Sequence, residues 1–159
     1  MAEALDAFPE TYFNIDIKVA GAAEPTVRAI TKLSATSRVL IASFSAARRR
    51  AVVDKLPGVA TSLSMNSAPQ AVIAARTGAQ PVLRRLLRGV DAVQLPYELR
   101  GRDLLTARAI SAFHAAGVEV HAWTVNDVEV MGRLLERGVD GIVTDRADVA
   151  MPVIEAYRA

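Results

Sequence analysis

The sequence predicts an α/β fold in which short strands and helices alternate along a parallel sheet. Two observations predict it. The first is a grammar repeated in Leu86-Leu-Arg-Gly-Val-Asp-Ala-Val-Gln94, Phe113-His-Ala-Ala-Gly-Val-Glu-Val-His121 and Leu135-Glu-Arg-Gly-Val-Asp-Gly-Ile-Val143. Each passage reads as helix end, glycine, strand. Gly89, Gly117 and Gly138 stand where a helix C-terminus favours a left-handed residue, and the apolar run after each is short and rich in β-branched residues. The second is the alternation of Phe13, Ile15, Ile17 and Val19 with Asn14, Asp16 and Lys18. Period two puts the three polar groups on one face of a strand and the four apolar ones on the other.

Working outward from these anchors, strands are expected near 13–19, 38–44, 59–64, 91–95, 118–125 and 140–144. Helices are expected near 25–34, 46–55, 69–76, 104–116 and 127–137, with a last one near 148–157. Met1-Ala-Glu-Ala-Leu-Asp-Ala-Phe-Pro9 has the apolar spacing of the end of an amphipathic helix, and Pro9 stops it. Strands alternating with helices imply right-handed crossovers and a parallel sheet. A doubly wound sheet would carry a glycine-rich phosphate turn, and neither G-x-G-x-x-G nor a P-loop occurs. A barrel is therefore the expected architecture. Its apolar strand faces would meet the helices, and Asn14, Asp16 and Lys18 would point inward toward the C-terminal mouth, where (β/α)8 enzymes keep their active sites. A complete barrel has eight units in about 250 residues. Six strands in 159 residues make an incomplete one.

A hydrophobic content of 52% in 159 residues supports one domain, 1–159, with a sizeable core. The 19 Lys and Arg nearly balance 17 Asp and Glu, and a net charge of +2 gives no argument for a nucleic-acid or membrane-surface partner. There is no cysteine, so disulfide scaffolds, thiol nucleophiles and cysteine metal sites are excluded. That usage is compatible with a cytoplasmic location. No run approaches the roughly 18 apolar residues of a membrane span, and the N-terminus has no signal-peptide pattern.

Asp16 and Lys18 form the sharpest pair. A carboxylate two residues from an ammonium on one strand face can offer a hard cation an oxygen while the lysine neutralises a phosphate oxygen. The plainer reading is a polar pair at a barrel mouth or an exposed edge. Trp123, the only tryptophan, lies near the end of the strand Val118 to Val125, with Glu119, His121 and Val125 expected on its face. It suits an aromatic wall beside a small polar group, or core. His121 is one layer deeper, with no nucleophile nearby, and reads as structural. His114 suits a helix C-terminus. Arg48, Arg49 and Arg50 read first as a solvated helix face and second as an anion site. Asp145 could cap the following helix as easily as bind a ligand, and Asn126-Asp127 reads first as a helix start.

Taken together, these stretches resemble the glycerophosphodiester phosphodiesterase family over nearly the whole chain. Leu5-Asp-Ala-Phe-Pro9 followed by Asn14-Ile-Asp-Ile-Lys18 is similar to the family's entry into its third strand, and Val39-Leu-Ile-Ala-Ser-Phe-Ser45 to its fourth. The most specific likeness is Val120-His-Ala-Trp-Thr-Val-Asn-Asp127, continuing through Met131 and Leu134-Leu135 to Gly138-Val-Asp-Gly-Ile-Val-Thr-Asp-Arg146. The resemblance implies strands three to eight of a (β/α)8 TIM barrel that hydrolyses glycerophosphodiesters to glycerol 3-phosphate and an alcohol. It implies two histidines as acid and base, and a divalent cation, Mg²⁺ or Ca²⁺, held by three acidic residues.

Carried over residue by residue, the resemblance places Asp16 on the metal-binding acid of the third strand, Lys18 on a phosphate-contacting lysine and Trp123 on an aromatic residue of the substrate pocket. Many members have Glu where Asp16 stands, but the related sphingomyelinase D enzymes use Asp-x-Lys there. The family's His-Arg-Gly strand, its Glu-x-Asp pair and its second histidine have no counterpart here. Both catalytic histidines and two of the three metal acids are thus missing, and no catalytic residue is expected in this chain. Three expectations follow: a phosphodiesterase fragment that is inactive alone, a catalytically dead remnant binding a phosphate ligand or another protein, and a partial barrel that associates through its open edges.

Overall fold

The computed structural model describes residues 1–158. The chain divides into two compact units, Met1–Ala68 with Gly89–Asp91, and Pro69–Arg88 with the residues from Ala92 onward. Each contains a three-stranded parallel sheet flanked by helices.

In the first unit, α1 (Ala2–Ala7) leads into β1 (Phe13–Asp16), α2 (Ala23–Lys32), β2 (Val39–Ala42), α3 (Ala46–Val53) and β3 (Ala60–Thr61). The sheet order is β1-β2-β3, with Phe13 opposite Val39 and Asp16 opposite Ala42. The helix-facing core is built by period two on the strands and period 3.6 on the helices. It holds Leu5, Ile17, Ile30, Ile41, Val52 and Leu56, all buried. Arg38 ties the N-terminal helix to this sheet. Its guanidinium donates to the carbonyls of Leu5 (2.6 Å), Phe8 (3.1 Å) and Thr11 (3.2 Å), and lies 5.6 Å from the centre of the Phe13 ring. Part of the C-terminal carbonyl set of α1 is satisfied in this way.

In the second unit, α4 (Ala68–Thr77, its first residue contributed by the first unit) and α5 (Gln80–Leu86) precede β4 (Ala92–Pro96). A small antiparallel pair, β5 (Glu98–Leu99) and β6 (Arg102–Asp103), comes next. The unit ends with α6 (Ala107–His114), β7 (Glu119–Trp123), α7 (Val128–Glu136), β8 (Gly141–Ile142) and α8 (Ala147–Arg158). The parallel order is β4-β7-β8. Phe113, Val120, Ile110, Met131 and Leu134 are buried here.

The glycine joints behave as expected. Gly117 (φ 82°) and Gly138 (φ 91°) are left-handed. At each joint the next residue reaches back five positions, Val118 N–H to Phe113 O and Val139 N–H to Leu134 O. That bond is the Schellman closure of the helix.

Several boundaries differ from expectation. The first strand ends at Asp16, and Val19, expected on the apolar face, is 61% exposed because it opens the short turn before α2. The helix expected from 104 begins at Ala107, capped by Thr106. The residues before it are taken by the β5–β6 hairpin, whose turn holds Arg100 and Gly101 at positive φ. Helix α5 was not among the expected elements. Its signals are Pro81 in the first turn and the spacing of Leu83, Leu86 and Leu87.

Candidate functional site

In the first unit, period two holds through Ile17. Asn14 and Asp16 are exposed while Ile17 is 1% exposed. Asp16 is the last residue of β1, so it and Lys18 sit at the C-terminal end of a parallel strand, as expected. Lys18 Nζ lies 3.9 Å from Asp16 Oδ2, a loose pair in which the lysine side chain is 82% exposed and the aspartate 33%. A loose pair leaves both charges available to a ligand.

The backbone between them is held firmly. Ile17 N–H donates to Ala42 O at 2.8 Å, and the Ser43 hydroxyl donates to Ile17 O at 2.7 Å. Ser43 is itself buried, and its oxygen accepts from Ser45 N–H and from Arg48 Nε. Sequence reasoning passed over Ser43. A buried serine at the end of an otherwise apolar strand, just before a helix cap, is the signal that could have found it.

The arginine run is not one solvated face. Arg50 is exposed, but Arg48 and Arg49 are partly buried. Arg49 Nη1 donates to Thr61 Oγ1 at 3.0 Å, and burial lowers its pKa without discharging the guanidinium. Thr61 in turn donates its hydroxyl to Ile41 O and its N–H to the Asp91 carboxylate. Helical spacing explains why Arg49 points toward the sheet while Arg50 meets solvent.

In the second unit, Trp123 ends β7 opposite Pro96 and is partly buried. Glu119, His121 and Trp123 alternate with buried Val120 and Ala122. Val125, expected on the Trp123 face, is 1% exposed. The strand has ended by then, and the Val125 N–H is drawn to Val143 O. The His121 ring bridges Gln94 Nε2, 3.2 Å from its Nδ1, and Glu119 Oε2, 3.1 Å from its Nε2. Its ring packs over Gly141, where an added Cβ would lie 2.9 Å from Cδ2. His121 is thus fixed as a structural bridge. His114 pairs with Asp140 at 2.8 Å, and Asp140 also accepts from Val120 N–H.

Asp127 caps α7 as expected, accepting from Val130 N–H. Asn126 does not cap. Its amide oxygen accepts from the Thr144 hydroxyl and Asp145 N–H, and its amide nitrogen donates to the Asp145 carboxylate. Asp145 accordingly clamps the ends of β7 and β8 together.

Each unit is a parallel α/β arrangement with polar groups at C-terminal ends of its strands. The pattern of the Glycerophosphoryl diester phosphodiesterase family matches residues 5–149, and the chain belongs to that family. It is 44% identical over 157 residues to the protein named "Probable glycerophosphodiester phosphodiesterase 2" of Mycobacterium tuberculosis (strain ATCC 25618 / H37Rv), covering 98% of this chain and 60% of the relative. The fold is similar to that of a glycerophosphodiester phosphodiesterase from Parabacteroides distasonis ATCC 8503, with TM-score 0.74 and 16% identity over 99% of this chain and 63% of the other. One from Agrobacterium tumefaciens str. C58 gives TM-score 0.68 and 16% identity, over 97% and 60% respectively. The chain spans about three fifths of the length of the curated relative it matches. The family's fold is the TIM barrel, and its members are generally dependent on a divalent metal.

A divalent cation of this class takes about six or more oxygen ligands. Among the described residues, no three His, Cys, Asp or Glu side chains converge on a metal position. Asp16 alone therefore does not make the site that such an ion requires.

Proposed function

We propose that this chain carries strands three to eight of a phosphodiesterase barrel that releases glycerol 3-phosphate and an alcohol from glycerophosphodiesters. In this reading Lys18 neutralises a phosphate oxygen, Asp16 is one acidic ligand among several for Mg²⁺ or Ca²⁺, and Trp123 walls the substrate pocket. The observation that carries it is the exposed, loosely paired Asp16 and Lys18 at the C-terminal end of β1. TIM-barrel enzymes place their chemistry at that end of the strands. A lysine there with no tight partner is suited to a substrate phosphate, and the bonded backbone of Ile17 beside it fixes where its side chain begins.

The acid and base of the reaction, and the remaining metal ligands, would come from a segment outside this sequence. His114 and His121 do not stand in for them, since the resemblance puts them at other positions of the family pattern, and both ring nitrogens of His121 are already engaged. The chain alone should release no glycerol 3-phosphate from glycerophosphocholine, with or without added Mg²⁺ or Ca²⁺. General acid and base groups typically contribute about 10²–10⁴-fold each to such a step. Supplying the segment that the family places before its third strand, fused or as a separate fragment, should produce hydrolysis. Metal-dependent release by the 159-residue chain alone would refute the reading. A completed barrel that stays inactive but binds phosphate through Lys18 would favour a catalytically dead, ligand-binding remnant.

A further inference from the structure

The net charge of +2 conceals an uneven distribution. Residues 69–88 contain Arg76, Arg84, Arg85 and Arg88 and no acidic residue. That stretch alone carries +4, so the rest of the chain sums to −2. We infer that the face formed by α4, α5 and the first turn of α6 docks on an anionic phospholipid surface.

The argument begins with helical spacing. Leu83 and Leu87, four apart, are buried, whereas Arg84, Arg85 and Arg88 are exposed on the opposite side of α5 and the residues that follow it. Cations three and four apart on a helix repel one another. Among the described residues none of these three is in an ion pair. Arg76 donates to a neutral acceptor, the Asp103 carbonyl, and is in no ion pair among the described residues. Arg108, also exposed, joins the group. Its guanidinium lies beside the α4–α5 turn, 3.3 Å from where a Cβ on Gly78 would be. Among the described residues no member of the cluster is in an ion pair, and an external anion is its natural complement.

The accompanying side chains select the kind of anion. Ile73 is 62% and Val82 52% exposed, so the face presents aliphatic groups among the guanidinium groups. That mixture suits the boundary between headgroups and acyl chains. Residues 69–88 contain no aromatic side chain and thus no platform on which nucleic-acid bases could stack. Among the described residues no helix is long and apolar enough to cross a membrane, so the contact would be peripheral. The inference stands independently of the phosphodiesterase reading.

The test is cosedimentation of the whole chain with vesicles of phosphatidylcholine alone or of phosphatidylcholine mixed with phosphatidylglycerol. The chain should partition onto the mixed vesicles only and leave them as salt is added. The triple variant Arg84→Gln, Arg85→Gln, Arg88→Gln should lower that partitioning by about a hundredfold. The variant Arg50→Gln, Arg133→Gln, Arg158→Gln removes the same charge elsewhere and should lower it only a few-fold. Thermal melts of both variants should match the parent, since all six residues are exposed. Failure to bind the mixed vesicles, or an equal loss in the two variants, would overturn the inference. So would tighter retention of the chain by polyglutamate or duplex DNA than by the mixed vesicles at the same salt, because the face would then serve a soluble polyanion.

Discussion

The polar groups around the parallel strands of the two units are built in opposite ways. In the second unit the polar side chains on and beside β4, β7 and β8 are committed to one another. His121 bridges Gln94 and Glu119, Asn126 clamps Thr144 and Asp145, and His114 binds Asp140. In the first unit the rigid parts lie beneath the site, in Ser43 and the backbone of Ile17, while Asp16 and Lys18 project with one 3.9 Å contact between them. A committed network specifies structure, and a loosely paired charge on a fixed backbone is available to a ligand. On this contrast the part of the chain with the more specific family signature supplies scaffold and the candidate pocket wall at Trp123, and the part with the weaker signature holds the candidate charged groups, Asp16 and Lys18.

Three substitutions sharpen or break this contrast. Gly141→Ala should be the most damaging, by about 1–3 kcal/mol, because the new methyl overpacks a ring tethered at both nitrogens. Urea denaturation measures it, and adding His121→Ala should recover part of the loss. Full additivity of the two would mean that the ring is not locked. Arg38→Lys should cost about 1–2 kcal/mol in the same assay, since an ammonium cannot reproduce a planar fork reaching three carbonyls. If lysine restores wild-type stability, the tie from α1 to the first sheet is a single charge contact. Lys18→Ala should change stability by less than about 0.5 kcal/mol, because an exposed, loose pair contributes little. A larger loss would place Lys18 in the scaffold and erase the distinction between the units.

Much of the fold was legible because it rests on local rules. The joints at Gly117 and Gly138 and the alternation from Phe13 to Ile17 follow from φ preference and strand period, which neighbouring residues determine. The misses occurred where tertiary partners decide. Val19 and Val125 lie past the ends of their strands, and their exposure is set by the turn before α2 and by the Val143 carbonyl. The β5–β6 hairpin depends on Arg100 and Gly101 at positive φ, an unusual conformation for an arginine. Of the site, Asp16 and Lys18 could be placed from period two alone. The role of Ser43 could not, because it depends on a bond to Ile17, just past the end of β1 and 26 positions away. In the arginine run, helical spacing separates Arg49 from Arg50, but Thr61, the partner of Arg49, belongs to another strand and was not legible.

The assignment of Asp16 is tested most directly in the completed barrel, with the N-terminal segment supplied. Asp16→Asn keeps the size and shape of the side chain but removes the charge that a divalent cation needs. Steady-state release of glycerol 3-phosphate from glycerophosphocholine should fall at least a hundredfold, on the order of 3 kcal/mol of lost transition-state stabilisation. The concentration of Mg²⁺ or Ca²⁺ needed for half-maximal activity should rise. If Asp16→Asn leaves both the rate and the metal requirement of an active completed barrel unchanged, Asp16 is not a metal ligand, and the candidate site at the end of β1 is wrong.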